Sequence, residues 1–92
     1  MKFEITENGT QGPFKLEGRV RRPVWGVVAG GTWGGATVAI QLGLSADGPF
    51  AATPEGTLIE DTALVSEMPD LCYIQVVTTG ASGSTDITLE IG

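Results

Sequence analysis

The side chains that carry most enzyme chemistry are nearly missing from this chain. It has no histidine and one cysteine in 92 residues, which removes imidazole acid–base catalysis, His-based triads, a Cys/His zinc site and an internal disulfide. Carboxylates are what remain. Glu60, Asp61, Glu67 and Asp70 lie close together in sequence, but they lack the alternating ligand spacing of a calcium loop, and no Asp/Glu pair is marked by its surroundings for glycoside hydrolysis. They read as a solvated acidic edge. Cys72 sits between Leu71 and Tyr73 with no base beside it, so a buried apolar thiol is expected. The expectation is a protein that is not an enzyme and has no catalytic residues, cofactor or metal.

Recognition is better served. Gly30-Gly31-Thr32-Trp33-Gly34-Gly35 is the most conspicuous run. It lacks the Lys-Ser/Thr and the following helix of a phosphate loop, and it reads as a turn feeding the strand that starts near Ala36. Trp33 then either caps the domain or packs on a neighbouring chain, and Gly34 and Gly35, with no side chains, let two backbones approach closely. Trp25, Trp33 and Tyr73 suggest a sugar-stacking platform, against which stands the ordinary use of aromatics in a core or an interface. Arg19-Val20-Arg21-Arg22-Pro23 is the basic cluster, with Arg19 and Arg21 on one strand face. These arginines either grip an acidic partner surface or pair with Glu4 and Glu17. Asn8-Gly9-Thr10 matches a glycosylation sequon and reads as a turn.

Charge is distributed unevenly. The net charge is −6, yet all five bases lie within the first 22 positions, and from Pro23 onward there are acids only. An acidic body repels nucleic acid and anionic lipid, so neither is expected as a partner. No run approaches the roughly 20 apolar residues of a membrane span, and the start lacks the apolar region of a secretion signal. Synthesis and retention in a cytoplasm follow as the expectation. At this length a fold buries roughly 60 to 65% of the surface its unfolded chain exposes, which leaves little room for a deep substrate cavity in one domain spanning 1–92.

The elements that must position these residues are strands. Val38, Ile40, Leu42 and Leu44 alternate with Thr37, Ala39, Gln41 and Gly43, and Ile87, Leu89 and Ile91 alternate with Asp86, Thr88 and Glu90, the period-two signature of a half-buried strand. The 71–79 run is apolar on both faces and predicts a central strand. Phe3 and Ile5 mark a strand at the start, Phe14, Leu16 and Val20 another, and 57–60 and 63–67 two short ones. Helix spacing is tolerable only over 58–68, where β-branched residues and Met68-Pro69 argue against it. Turn signals fall at Glu7-Asn8-Gly9, Gln11-Gly12-Pro13, Gly30-Gly31, Ala46-Asp47-Gly48-Pro49, Pro54-Glu55-Gly56, Met68-Pro69-Asp70 and Gly80-Ala81-Ser82-Gly83. The last is expected to close a hairpin between the two C-terminal strands. Seven or eight short strands predict an all-β antiparallel β-sandwich of jelly-roll type.

Over residues 30–92, Gly34-Gly35-Ala36-Thr37-Val38-Ala39-Ile40-Gln41-Leu42, then Ser45-Ala46-Asp47-Gly48, then Cys72-Tyr73-Ile74-Gln75-Val76, the chain resembles small β-sandwich structural proteins of tailed-bacteriophage virions. Pro49-Phe50 stands where such proteins often carry a Trp. The resemblance implies a capsid decoration or head-fibre protein, commonly trimeric, on the capsid exterior, with itself and the major capsid protein as partners. Trp33, Gly34, Gly35, Arg19, Arg21 and Arg22 are the interface residues expected under that reading. The alternative is a carbohydrate- or receptor-binding module of a phage fibre or tail.

Overall fold

The computed structural model describes residues 1–16, 24–68 and 72–92. Its strands are β1 (Lys2–Ile5), β2 (Gly9–Lys15), β3 (Val24–Thr32), β4 (Thr37–Gly43), β5 (Ala51–Leu58), β6 (Thr62–Glu67), β7 (Tyr73–Thr79) and β8 (Asp86–Ile91). They form two four-stranded antiparallel sheets, ordered β1-β8-β3-β6 and β2-β7-β4-β5. This interleaving of early and late strands is the strand order of a jelly roll.

Alternation explains the layers. In β8, Ile87, Leu89 and Ile91 are buried, and Cys72, just before β7, and Ile74, Val76 and Thr78, on β7, are likewise buried in the gap between the sheets. Phe3, Ile5, Leu16, Trp25, Val27, Ala29, Val38, Ile40, Leu58 and Met68 complete one core. The expected central place of the 71–79 strand is observed: β7 lies between β2 and β4. Its outward residues Tyr73, Gln75 and Val77 are half-buried, and Gln75 Nε2 donates to Gln41 Oε1 at 2.6 Å across the β7–β4 pair.

Several local expectations are corrected. Gly30, Gly31 and Thr32 are not in a turn but end β3, and the turn is confined to residues 33–35, closed by the Ala36 amide donating to the Trp33 carbonyl at 3.0 Å. β3 escaped the sequence reading because its outward row is Val24, Gly26 and Val28, so apolar residues and glycine follow one another without polar alternation. Gln11-Gly12-Pro13 and Pro54-Glu55-Gly56 are interruptions inside strands rather than turns between them. Gln11 pairs with Val76 and Phe14 with Ile74, which leaves two β2 residues opposite one on β7. Ala39 pairs with Thr57 and Gln41 with Ala52, so residues 53–56 stand opposite Ile40 alone. Such bulges bend an edge strand and spoil its outer ladder.

Leu44 does not continue the buried row. It lies past β4 and is 81% exposed, while Gly43 is buried where a Cβ would sit 2.8 Å from the Phe50 ring. The loop from Gly80 to Ser84 joins no hairpin: β7 and β8 belong to different sheets, and the loop carries the chain across the sandwich. The strand expected over Phe14, Leu16 and Val20 is described only as far as Leu16, and the Met68-Pro69-Asp70 turn also reaches outside the described residues.

Burial on opposite faces sets a test. Ile74 is fully buried on a central strand, whereas Val28 is 55% exposed. Ile74→Ala is expected to lower stability by about 2–5 kcal/mol, and Val28→Ala to stay within about 0.5 kcal/mol. Urea midpoints at unchanged m-value measure both; equal losses would put the inward row in the wrong place.

Candidate functional site

The Trp33 turn sits at one end of the sandwich and is fastened within its own chain. Trp33 is half-buried and packs against the core. Its indole Nε1 donates to Asp61 Oδ1 at 2.9 Å, and the same oxygen accepts the Gly31 amide at 3.2 Å. Asp61 thus ties the β5–β6 turn to the end of β3. The Thr85 hydroxyl, buried to 4% exposure, accepts the Ser82 amide at 3.0 Å and donates to the Trp33 carbonyl at 2.9 Å, so both its roles are used. Asn8 Oδ1 accepts the Ala81 amide at 2.8 Å, which ties the β7–β8 loop to the β1–β2 connection.

Gly34 has φ +58° and Gly35 φ +88°. A Cβ on Gly34 would come within 2.5 Å of Ser82 Oγ and 2.8 Å of Ser84 Oγ. The close approach that glycine permits here is between residues 33–35 and 82–85 of one chain. Both glycines are exposed. Arg19, Arg21 and Arg22 lie outside the described residues.

The three aromatics do not form one platform. Trp25 is a core residue at 6% exposure, while Tyr73 is half-buried on the outer face of the β2-β7-β4-β5 sheet. Among Glu60, Asp61 and Glu67, all exposed, Asp61 is the one with a structural partner in Trp33. Cys72 is buried at 1% exposure, as its apolar neighbours suggested.

An apolar surface that sequence reasoning missed covers part of the outer face of the β1-β8-β3-β6 sheet. Val24, Val28 and Val65 are 37%, 55% and 65% exposed. The register places Val28 beside Ala63 and Gly26 beside Val65, so the valines on β3 and β6 surround the notch left by Gly26. On the side of Gly26 toward β8 and β1, a shallow depression of ≈ 420 Å³ opens, bordered by Met1, Lys2, Gly26, Val28, Glu90 and Gly92. Toward β8 and β1 the same face turns charged, with Glu90, Glu4 and Lys2. The available signal was Val24-Trp25-Gly26-Val27-Val28, an apolar run that fits a strand with two apolar faces.

The two sides of the sandwich also differ. At the β1/β2 side, the Phe3 and Phe14 rings meet edge-on at 5.4 Å and Gln11 Nε2 donates to the Glu4 carbonyl at 3.1 Å. At the β5/β6 side a groove of ≈ 570 Å³ runs between the strands, lined in part by Leu42, Ala51, Ala52, Glu55, Val65 and Glu67.

These features define a jelly-roll sandwich with an apolar patch on one outer sheet face, an open groove along one side and a polar, cross-tied loop end. No family model, curated protein or solved structure matches the chain.

Asp61→Ala is expected to release both hydrogen bonds, raising the Trp33 indole N–H exchange rate and costing on the order of 1 kcal/mol. Asp61→Asn keeps an acceptor oxygen and is expected to restore most of both. Indole exchange followed by NMR checks this; equal exchange in wild type and Asp61→Ala would mean that the carboxylate does not hold the ring.

Proposed function

We propose that this protein is a non-enzymatic structural component of a bacteriophage virion, a decoration protein that binds the capsid exterior as a homo-oligomer, most simply a trimer. The observation that supports it best is the patch of Val24, Val28, Ala63 and Val65 on an outer sheet face. Exposed apolar residues grouped beside a charged margin have the make-up of a protein interface, with an apolar centre and a polar rim. A small domain gains stability by covering such a face, because a partner that binds only the folded state shifts the folding equilibrium. The jelly-roll order of the strands is an architecture used by viral capsid domains and also by lectins.

The arginine cluster at 19, 21 and 22 supplies the electrostatic part of this reading. Those residues stand in an acidic chain whose other bases are Lys2 and Lys15, and a basic segment facing an acidic shell or an acidic neighbouring subunit would speed and orient docking. The second reading, a carbohydrate- or receptor-binding module, draws on one observation: Trp33, half-buried, has its indole N–H held by an exposed carboxylate, a combination suited to stacking a sugar ring and bonding its hydroxyls.

The test uses expanded, empty capsids of the encoding virus. Light scattering is expected to give an oligomer mass, and co-sedimentation is expected to show saturable binding. Val28→Asp with Val65→Asp should lower binding about tenfold or more, with folding unchanged because both side chains point outward. Replacing Arg19, Arg21 and Arg22 with Gln should weaken binding and flatten its salt dependence. A monomer at tens of micromolar that ignores capsids, or undiminished binding by both variants, would refute the proposal.

A further inference from the structure

Among the described residues the sandwich has four edge strands, and they are not equally guarded. An open edge presents unpaired N–H and C=O groups, which proteins blunt with short strands, charges, prolines or bulges. β1 is four residues long and carries Lys2 and Glu4. β2 contains Pro13 and a register shift, and β5 contains Pro54 and the wide interruption at residues 53–56. β6, Thr62-Ala63-Leu64-Val65-Ser66-Glu67, has no proline, glycine or register shift, and Glu67 is its one charge.

Hydrogen-bond alternation shows which β6 groups face outward. The Gly26 amide donates to the Gly92 carbonyl at 2.7 Å and its carbonyl accepts the Gly92 amide at 2.9 Å, so Gly26 bonds on the β8 side. In an antiparallel ladder the bonding direction alternates along the strand. Trp25, Val27 and Ala29 therefore bond toward β6, to their register partners Ser66, Leu64 and Thr62. The Gly31 amide obeys the same phase, reaching Asp61 on that side. By elimination, the main-chain groups of Ala63, Val65 and Glu67 point away from the sheet.

We propose that this edge captures an extended, basic segment of a partner protein as an added strand. Charge selects the occupant. The acids in the adjoining groove are Glu55 and Glu67, while the described cations, Lys2 and Lys15, lie on β1 and β2 at the far edges of the two sheets. A second copy adding its own β6 edge would set another Glu55 and Glu67 against these acids, whereas a strand with Lys or Arg near its end opposite Glu67 and apolar residues opposite Val65 matches both charge and face. Main-chain bonds to Ala63, Val65 and Glu67 supply affinity and the side-chain pattern supplies selection, as in other strand-addition complexes. The inference does not depend on what carries the basic segment, so it stands apart from the capsid reading.

The experiment is amide NMR and hydrogen exchange on the full chain with the peptide acetyl-Arg-Lys-Arg-Val-Thr-Val-Thr-amide, whose cations fall opposite Glu67 in antiparallel pairing, at concentrations on the order of 1 mM. The expected result is alternating protection: the amides of Ala63, Val65 and Glu67 slow about tenfold, those of Leu64 and Ser66 stay as they were, and added salt reverses the effect. A peptide with Glu in place of its three cations should give none of it. Val65→Pro removes an outward amide and should abolish binding, since proline is accepted where an edge N–H faces solvent. Glu55→Gln with Glu67→Gln leaves the backbone untouched and should weaken binding several-fold. Absence of the alternating pattern, equal binding of the acidic peptide, or the same protection growing with protein concentration when no peptide is present would each overturn the proposal, the last by giving the edge to a second copy.

Discussion

The filling between the sheets holds this chain in shape. Among the eight described strands, β4 and β5 are the one consecutive pair that lies side by side; every other connection passes from one sheet to the other. Local hairpins therefore contribute little, and strands distant in sequence are joined by their ladders and by the inward rows of β3, β4, β7 and β8. Those rows are mostly Ile, Val and Leu, with Trp25 and Ala29 in β3 and Thr78 in β7, and each buried Ile, Val or Leu side chain is worth about 1.5–3 kcal/mol relative to exposure. A topology of this kind defers its reward, because loops must close before non-local contacts form.

The same constraint determines where recognition surfaces can be. The described side chains fill the space between the sheets, and the groove and the depression lie on the sides and outer faces. The loop end is cross-tied: Asp61, Thr85 and Asn8 each hold a backbone or indole group from another segment. Trp33 is thereby both a structural residue and a surface one. The outer valines carry no such load. Val28 and Val65 could be polar at no cost to the core, and their apolar character is unexplained by folding alone.

Much of the fold was legible in the sequence because half-buried antiparallel strands advertise themselves by alternation. β4, β7 and β8 are read directly from Val38–Ile40, Ile74–Val76 and Ile87–Leu89–Ile91, and the sandwich follows from their number and spacing. β3 was not legible, since its outward positions are Val24, Gly26 and Val28 and no polar partner row marks its period. Proline and glycine misled at Gly12-Pro13 and at Pro54 to Gly56, where they mark bulges within edge strands; sequence shows that the chain bends there and not whether the ladder resumes. The β7–β8 loop misled for a different reason. A short Gly-Ser turn fits a hairpin and a sheet-to-sheet crossing alike, and only the non-local pairings of β1 with β8 and β2 with β7 decide between them. The loop-end network was illegible because Asp61 and Trp33 are 28 residues apart, with nothing local to link them.

The two sides of the sandwich are closed differently. On the β1/β2 side, aromatic contact and the Gln11 amide seal the gap, and the strands there carry the described cations and a bulge. On the β5/β6 side the gap is left as a groove with acidic margins. If solubility alone were at issue, the natural arrangement would place charge on the regular edge and leave the bulged edge bare, because a bulge already discourages pairing. Regular β1 follows that rule with Lys2 and Glu4, but β6 does not: it is regular yet carries one charge, no more than bulged β2 or β5, and it lies beside the groove and adjoins the outer valines of β3. Apolar face, open edge and groove therefore meet along one strand, and that convergence gives β6 a claim on function that no single residue in the chain has.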